Sequence, residues 1–278
     1  KSINTFDFNY GDQLQYFAYA GHGQDTLFDF PVNHFDYTFT FTMGFPCPLN
    51  PSVTYAGQTY KTVQIGNQCW FAENLNIGTR VDGNVDQTDN GVIEKYCYDN
   101  ISALCNTFGG LYTWFEMLQY NTSNKQGICP VGWHIPSDND WTILVDYLGG
   151  ESIAGGKMKE TTTVNWNSPN TGATNYSGFS GLPGGYHGMT TKLYYFLQEN
   201  GFFMSTTEYS TDRAWARKLS YDSDEATKTH YLKGCGYTVR CLMDTCAPMP
   251  TQAHAGHDSL NVIGDSIVLM ANTPVYGQ

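Results

Sequence analysis

The chain has 278 residues and a net charge of −12, with 41% hydrophobic and 15% aromatic residues against 14% charged ones. This balance, with 29 glycines and 20 tyrosines, suits a globular, turn-rich β protein with a sizeable core. It excludes the basic stripe that nucleic acid or an anionic membrane would need, and no apolar run is long enough to span a bilayer.

In chain order, Phe6, Phe8 and Tyr10 alternate with polar residues, as do Phe35, Tyr37, Phe39 and Phe41, which predicts two strands within residues 1–46. Gly21 to Asp25 reads as a loop, and Pro46-Cys47-Pro48 as a stiff linker. Residues 59–65 and 236–242 are both strand-like. The clearest local element is a short amphipathic helix. Ser137 is placed as its N-cap, Asp138 and Asp140 put negative charge in its first turn, and Gly149-Gly150 stop it. Trp141, Leu144, Val145 and Leu148 form one apolar face, which requires a sheet to cover it. Past the Pro- and Ala-rich stretch from Ala247 to Gly256, Leu260, Val262, Ile267 and Leu269 predict a hairpin turning at Gly264-Asp265, too short to fold alone.

Both ends are expected to be pieces of immunoglobulin-like sandwiches, residues 1–46 ending one and residues 247–278 holding a linker and the start of another. The chain opens at Lys1 with no signal-peptide pattern, so it is expected to be cut from a longer string of domains. The alternative is that the two ends pair with each other or with the middle. Eight cysteines without CxxC pairs favour disulfides and an oxidising, extracellular compartment over zinc.

The middle carries an ordered set of motifs. These are Val63-Gln64-Ile65-Gly66-Asn67-Gln68-Cys69-Trp70-Phe71-Ala72-Glu73-Asn74-Leu75, the run Gln87 to Tyr98, Gly109-Gly110-Leu111-Tyr112-Thr113-Trp114, and Ile128-Cys129-Pro130-Val131-Gly132-Trp133-His134-Ile135-Pro136. Ser177 to Tyr186 and Thr238-Val239-Arg240-Cys241 complete it. Together they resemble the Fibrobacter succinogenes major paralogous domain, found in surface and secreted proteins of Bacteroidetes and Fibrobacteres. The resemblance covers about two-thirds of the chain. It implies an α+β, C-type lectin-like central domain over residues 47–246, flanked by the all-β partial domains, with its first and last strands side by side.

Pairing residues 59–65 with 236–242 in that fold would bring Cys47 close to Cys246. The expected bridges are therefore Cys47 with Cys246, Cys97 with Cys105, Cys129 with Cys241, and, by remainder, Cys69 with Cys235, among 105 arithmetic possibilities. On the chain-entropy model the Cys129–Cys241 loop contributes about 4–5 kcal/mol, against roughly 2.5 for Cys97–Cys105, which is expected only to pin a hairpin.

Several residues invite a chemical reading. His134, inside a packed motif, is better read as a hydrogen-bonded core histidine than as a ligand or base. Asp82, Asn84 and Asp86 have the spacing of a calcium loop, but Gln87 stands where its glycine belongs and no glutamate closes it. The Glu-Pro-Asn, Gln-Pro-Asp and Trp-Asn-Asp motifs of calcium-dependent lectins are missing, Trp166-Asn167-Ser168-Pro169-Asn170 being the nearest fragment. No cofactor is expected, with a structural calcium left open. Formylglycine-generating enzymes share the fold, yet no reactive cysteine pair, Ser-His-Asp spacing or phosphate loop is present.

The best candidate is the stretch from Ser205 to Leu232, dense in aromatic and arginine side chains, with Tyr209, Arg213, Trp215, Arg217, Tyr221 and Tyr231 expected to bind. Asp-Ser/Thr-apolar tripeptides mark Thr26 and Ser259 as candidate glycan acceptors. The expected function is a non-enzymatic module of a multidomain cell-surface adhesin that recognises a glycan or a protein. The alternatives are a structural spacer and an enzyme acting on polysaccharide or sulfatase substrates.

Overall fold

The computed structural model describes residues 14–20, 23–29, 46–48, 50–246, 261–263 and 266–268. The chain divides into two compact units, Thr42–Ala247 and a second made of Lys1–Phe41 with Pro248–Gln278. In the second unit, β1 (Leu14–Ala20) pairs antiparallel with β2 (Gly23–Asp29), so residues 23–25, expected as loop, continue a strand. The alternations at Phe6 to Tyr10 and Phe35 to Phe41 lie outside the described residues.

The larger unit is mixed helix and sheet, mostly β. It begins with a meander of β3 (Ser52–Tyr55), β4 (Gln58–Ile65) and β5 (Gln68–Phe71). Gly66, at φ +59°, makes the tight β4–β5 turn, where a Cβ would press on the Tyr147 ring. A short parallel pair follows, β6 (Thr79–Arg80) with β7 (Glu94–Lys95). Then come α1 (Ser102–Phe108), α2 (Trp114–Met117), β8 (Trp133–His134), α3 (Asp138–Tyr147) and α4 (Glu151–Met158). The hairpin β9 (Gly184–His187) and β10 (Tyr194–Leu197) leads into a second meander, β11 (Asn200–Glu208), β12 (Arg213–Ser220) and β13 (Ala226–Leu232). β14 (Leu242–Met243) returns to the first sheet. Past this unit, β15 (Asn261–Ile263) and β16 (Ser266–Val268) make the hairpin expected around Gly264-Asp265.

The first sheet runs β3-β4-β5-β14-β8. The end of the unit therefore pairs with β5, not with β4 as expected: Leu242 faces Trp70, the Phe71 N–H donates to Cys241 O, and the Leu75 N–H to Val239 O. The tight β4–β5 hairpin forces this order, because β5 occupies the edge of β4 first. The disulfides follow the same geometry. Cys97–Cys105 and Cys129–Cys241 form as expected, but Cys47 bonds Cys69, across 22 residues, and Cys235 and Cys246 are free. The Cys47 N–H donates to Thr62 Oγ1 on β4, and Thr62 faces Phe71 on β5, which brings Cys47 within a Cα separation of 5.8 Å of Cys69. Cys97–Cys105 ties a 3-10 turn at Tyr98–Asn100 to α1 rather than pinning a hairpin.

α3 is built as its sequence dictates. Ser137 Oγ accepts from the Asp140 N–H at 3.2 Å while the Ser137 N–H donates to Asp140 Oδ2 at 2.8 Å, a capping box worth about 1 kcal/mol. Trp141, Leu144, Val145 and Leu148 are all buried, and Trp141 packs on Trp70, Phe179 and Phe203. Burying each such side chain stabilises by roughly 1.5–3 kcal/mol.

The second meander lies between two cores. Phe203, Leu219 and Ala226 face the α3 and Trp70 cluster, while Phe202, Met204, Ala214 and Ala216 face the cluster of Tyr112, Trp114 and Phe71. Buried cations hold the irregular segments around it. Arg240 donates to Asn74 Oδ1 and to the carbonyls of Phe71, Phe179 and Ser180, with its guanidinium 4.3 Å from the Phe179 ring centre. Lys159 donates to the carbonyls of Thr171, Ser220 and Ser223, and burial pulls its pKa down to about 8. Among the described residues no helix is long and apolar enough to cross a membrane.

Candidate functional site: an aromatic cleft beside the second meander

Four of the six expected binding residues lie on β12 and β13 and two, Tyr209 and Tyr221, just outside β12, and the six fall in three places. Trp215 faces His230 across the strand pair, and both lie on the α3 side. Tyr209 stacks on His230 with ring centres 3.8 Å apart and meets Trp215 edge-on at 4.9 Å; the Lys228 ammonium sits 4.5 Å from the Trp215 ring centre. Tyr209 is half exposed, and its neighbours make a small surface patch.

Arg217 departs from its expected role. It is 2% exposed: Nη1 donates to Asp138 Oδ1 at 2.7 Å and Nη2 to Thr142 Oγ1 at 2.9 Å, so it ties β12 to α3. The odd-numbered face of β12 lies under α3 at that point, which leaves no route to solvent. Burial alone would raise the pKa of Asp138, but hydrogen bonds from Lys228 and Arg217 and their charges outweigh it and hold the carboxyl below its ordinary value.

Arg213, Tyr221 and Tyr231 line a cleft of about 600 Å³ with Phe202 beneath it. Residues outside Ser205–Leu232 complete its walls: Tyr186 and Phe196 from the β9–β10 hairpin, and Tyr237 from the segment before β14. The rings touch one another, Tyr186 with Tyr237 at 5.9 Å, Tyr231 with Tyr237 at 5.8 Å, and Phe202 with Tyr231 at 5.1 Å. Phe196 is 45% exposed and holds φ at +61°. An aromatic residue in the left-handed region costs of order 1–3 kcal/mol, a strain that clusters at functional sites. Density of aromatic residues at Gly185-Tyr186 and Tyr194-Tyr195-Phe196 is the sequence feature that marks this second wall.

The rim carries two cations, Arg213 and Lys218, and two carboxylates, Glu199 and Asp222. Among the described residues, Glu199, Lys218 and Asp222 have no side-chain hydrogen bond and no ion pair. Their donors and acceptors are unspent. Burial pushes the Tyr231 phenol up to about 12 and raises Tyr186 and Tyr237 as well, so the phenols stay neutral donors at physiological pH. The free thiol of Cys235 closes the floor of the cleft.

His134 is half-buried, with Nδ1 2.7 Å from Asp244 Oδ1 and Nε2 3.6 Å from Asp140 Oδ2. Burial lowers its pKa, but the two carboxylates outweigh that and raise it; it joins the ends of β8, β14 and α3. The loop at Asp82 to Asp86 spends its carboxylates internally, Asp82 on the Asn84 N–H and Asp86 on Lys192. Among the described residues no group of three or more His, Cys, Asp or Glu could hold a metal ion. Thr26 falls on β2, and Ser259 lies outside the described residues.

The model of the Fibrobacter succinogenes major domain matches residues 63–243, which include every residue named at the cleft. Neither the curated proteins nor the solved structures give a match. The match spans well over half of the chain, from the β4–β5 hairpin to β14, and the chain belongs to the Fibrobacter succinogenes major domain family.

Proposed function

We propose that this chain is a non-enzymatic recognition module of a multidomain, extracellular cell-surface protein, a C-type lectin-like unit flanked by immunoglobulin-like domains, which binds a glycan or protein ligand in the aromatic cleft beside β12 and β13. The observation that carries this reading is the cleft itself. Half-exposed rings are held in a concave site of small-molecule size, with unspent charged groups at its rim. The phenols favour binding over catalysis, since burial moves them away from neutral pH, where a general acid or base must titrate. Three disulfides suit an oxidising compartment.

The test is biolayer interferometry of the full chain against immobilised surface glycans and surface proteins, beside Tyr231→Ala and Phe196→Ala. A recognition module binds, and loses binding in both variants while their near-ultraviolet circular dichroism stays native. A spacer binds nothing, and that result from a correctly folded chain would replace the proposal.

A further inference from the structure

We infer that the cleft's ligand is a neutral oligosaccharide, bound through the apolar faces of its sugar rings and without a cation. This rests on the recognition reading above and adds the ligand's chemistry to it.

The balance of charge comes first. Arg213 and Lys218 stand against Glu199 and Asp222, so the rim has no net charge to attract a uronic or sialic acid. What Lys218, Glu199 and Asp222 offer is a mixture of donors and acceptors without a side-chain hydrogen bond or ion pair among the described residues, which suits hydroxyl groups, since each donates and accepts.

The walls make the second point. A pyranose has one face of C–H groups, weakly positive and apolar, which complements the negative face of an aromatic ring. Tyr186, Phe196 and Tyr231 are all at least partly exposed and come from three different strands. Phe196 is fixed at positive φ within a hairpin that also holds Lys192 and Gln198 there, at +56° and +64°. Such a wall is set before the ligand arrives, which reduces the ordering cost of binding. A peptide adding a strand to this sheet would need the edge of β13, where the Lys228 N–H already donates to Glu151 Oε1 at 2.8 Å, or that of β11, where Phe203 already bridges Thr238.

The experiment is affinity electrophoresis of the full chain through gels containing mannan, laminarin, xylan or dextran, or the acidic polymers alginate and polygalacturonate, each with and without EDTA. The expected result is retardation by at least one neutral polymer, unchanged by EDTA. Tyr231→Ala or Phe196→Gly weakens it about tenfold or more, the usual cost of truncating a central aromatic anchor, while Tyr209→Ala, on the opposite face of the sheet, leaves it unchanged. Thermal melts of each variant confirm a native fold.

Retardation by acidic polymers alone, or loss with EDTA, overturns the ligand assignment and leaves the recognition reading standing. Retardation that follows Tyr209 rather than Tyr231 overturns both the ligand assignment and the cleft. No retardation by any polymer, with protein binding in the interferometry above, overturns the sugar; no binding in either assay overturns both.

Discussion

Arg217 Nη1 lies 2.7 Å from Asp138 Oδ1, joining the middle of β12 to the first turn of α3. The pair is nearly out of water, with side-chain exposures of 2% and 16%. Truncating Arg217 leaves Asp138 with the partly exposed Lys228 as its remaining cation and takes from Thr142 its guanidinium donor. Arg217→Ala is therefore expected to destabilise the chain by about 1.5–3 kcal/mol, read in urea denaturation, whereas a binding role alone would leave the midpoint where it was.

The same pair sets the acid side of the stability curve. The folded-state pKa of Asp138 is depressed, so its contribution is complete above the ordinary value near 3.8 and is lost as pH falls through the folded value. Asp138→Asn is expected to remove part of the slope of the melting temperature at and below pH 4. An unchanged slope would show that Asp138 carries no linkage.

His134 acts in the opposite direction. Its folded pKa is raised, so its contribution is complete below the ordinary value of 6.5 and is lost as pH rises through the folded value. Asp244 is more than half exposed, which screens the pair and limits the effect to under about 1 kcal/mol. The wild-type chain is expected to lose a small increment of stability as pH rises past 6.5, and His134→Gln to lose that step. A His134→Gln chain that keeps the full step would place its origin elsewhere.

Disulfide connectivity is checked by non-reducing peptide mapping. Cys47–Cys69 is expected, together with two thiols, Cys235 and Cys246, that resist alkylation in the folded chain and react once it is unfolded. Burial pushes the Cys246 thiol up to about 11, so almost none of it is thiolate at neutral pH. A Cys47–Cys246 peptide would restore the pairing that the fold resemblance implies. Replacing the pair Cys129 and Cys241 by alanine is expected to cost about 4–5 kcal/mol, since its loop is the longest of the three.

The parts legible in the sequence are those governed by local rules. Ser137, Asp140 and the spacing of Trp141, Leu144 and Leu148 specify α3 without reference to anything distant. Composition marks the Ser205–Leu232 stretch, and three of the six residues expected to bind there, Arg213, Tyr221 and Tyr231, line the cleft. Composition cannot say which side of a strand a residue takes, and that is what separates Trp215 from Tyr231. Arg217 turns away from the cleft toward a carboxylate, Asp138, that is 79 residues away in the chain, which no local pattern announces. Tyr186, Phe196 and Tyr237 reach the same cleft from other chain segments, a juxtaposition only the fold supplies. The Cys47–Cys246 expectation failed on strand order, since β5 stands between β4 and β14.

The most direct measurement of the central claim is a 1H–15N nuclear magnetic resonance titration of the full chain with a neutral oligosaccharide series, mannohexaose and laminarihexaose first. Shifts are expected to concentrate at Phe196, Lys218, Asp222 and Tyr231, around the cleft. Shifts concentrated at Tyr209, Trp215 and His230 would contradict it by moving recognition to the other face of the same sheet, and no shifts with either sugar or with the remaining neutral series would contradict the neutral-glycan assignment outright.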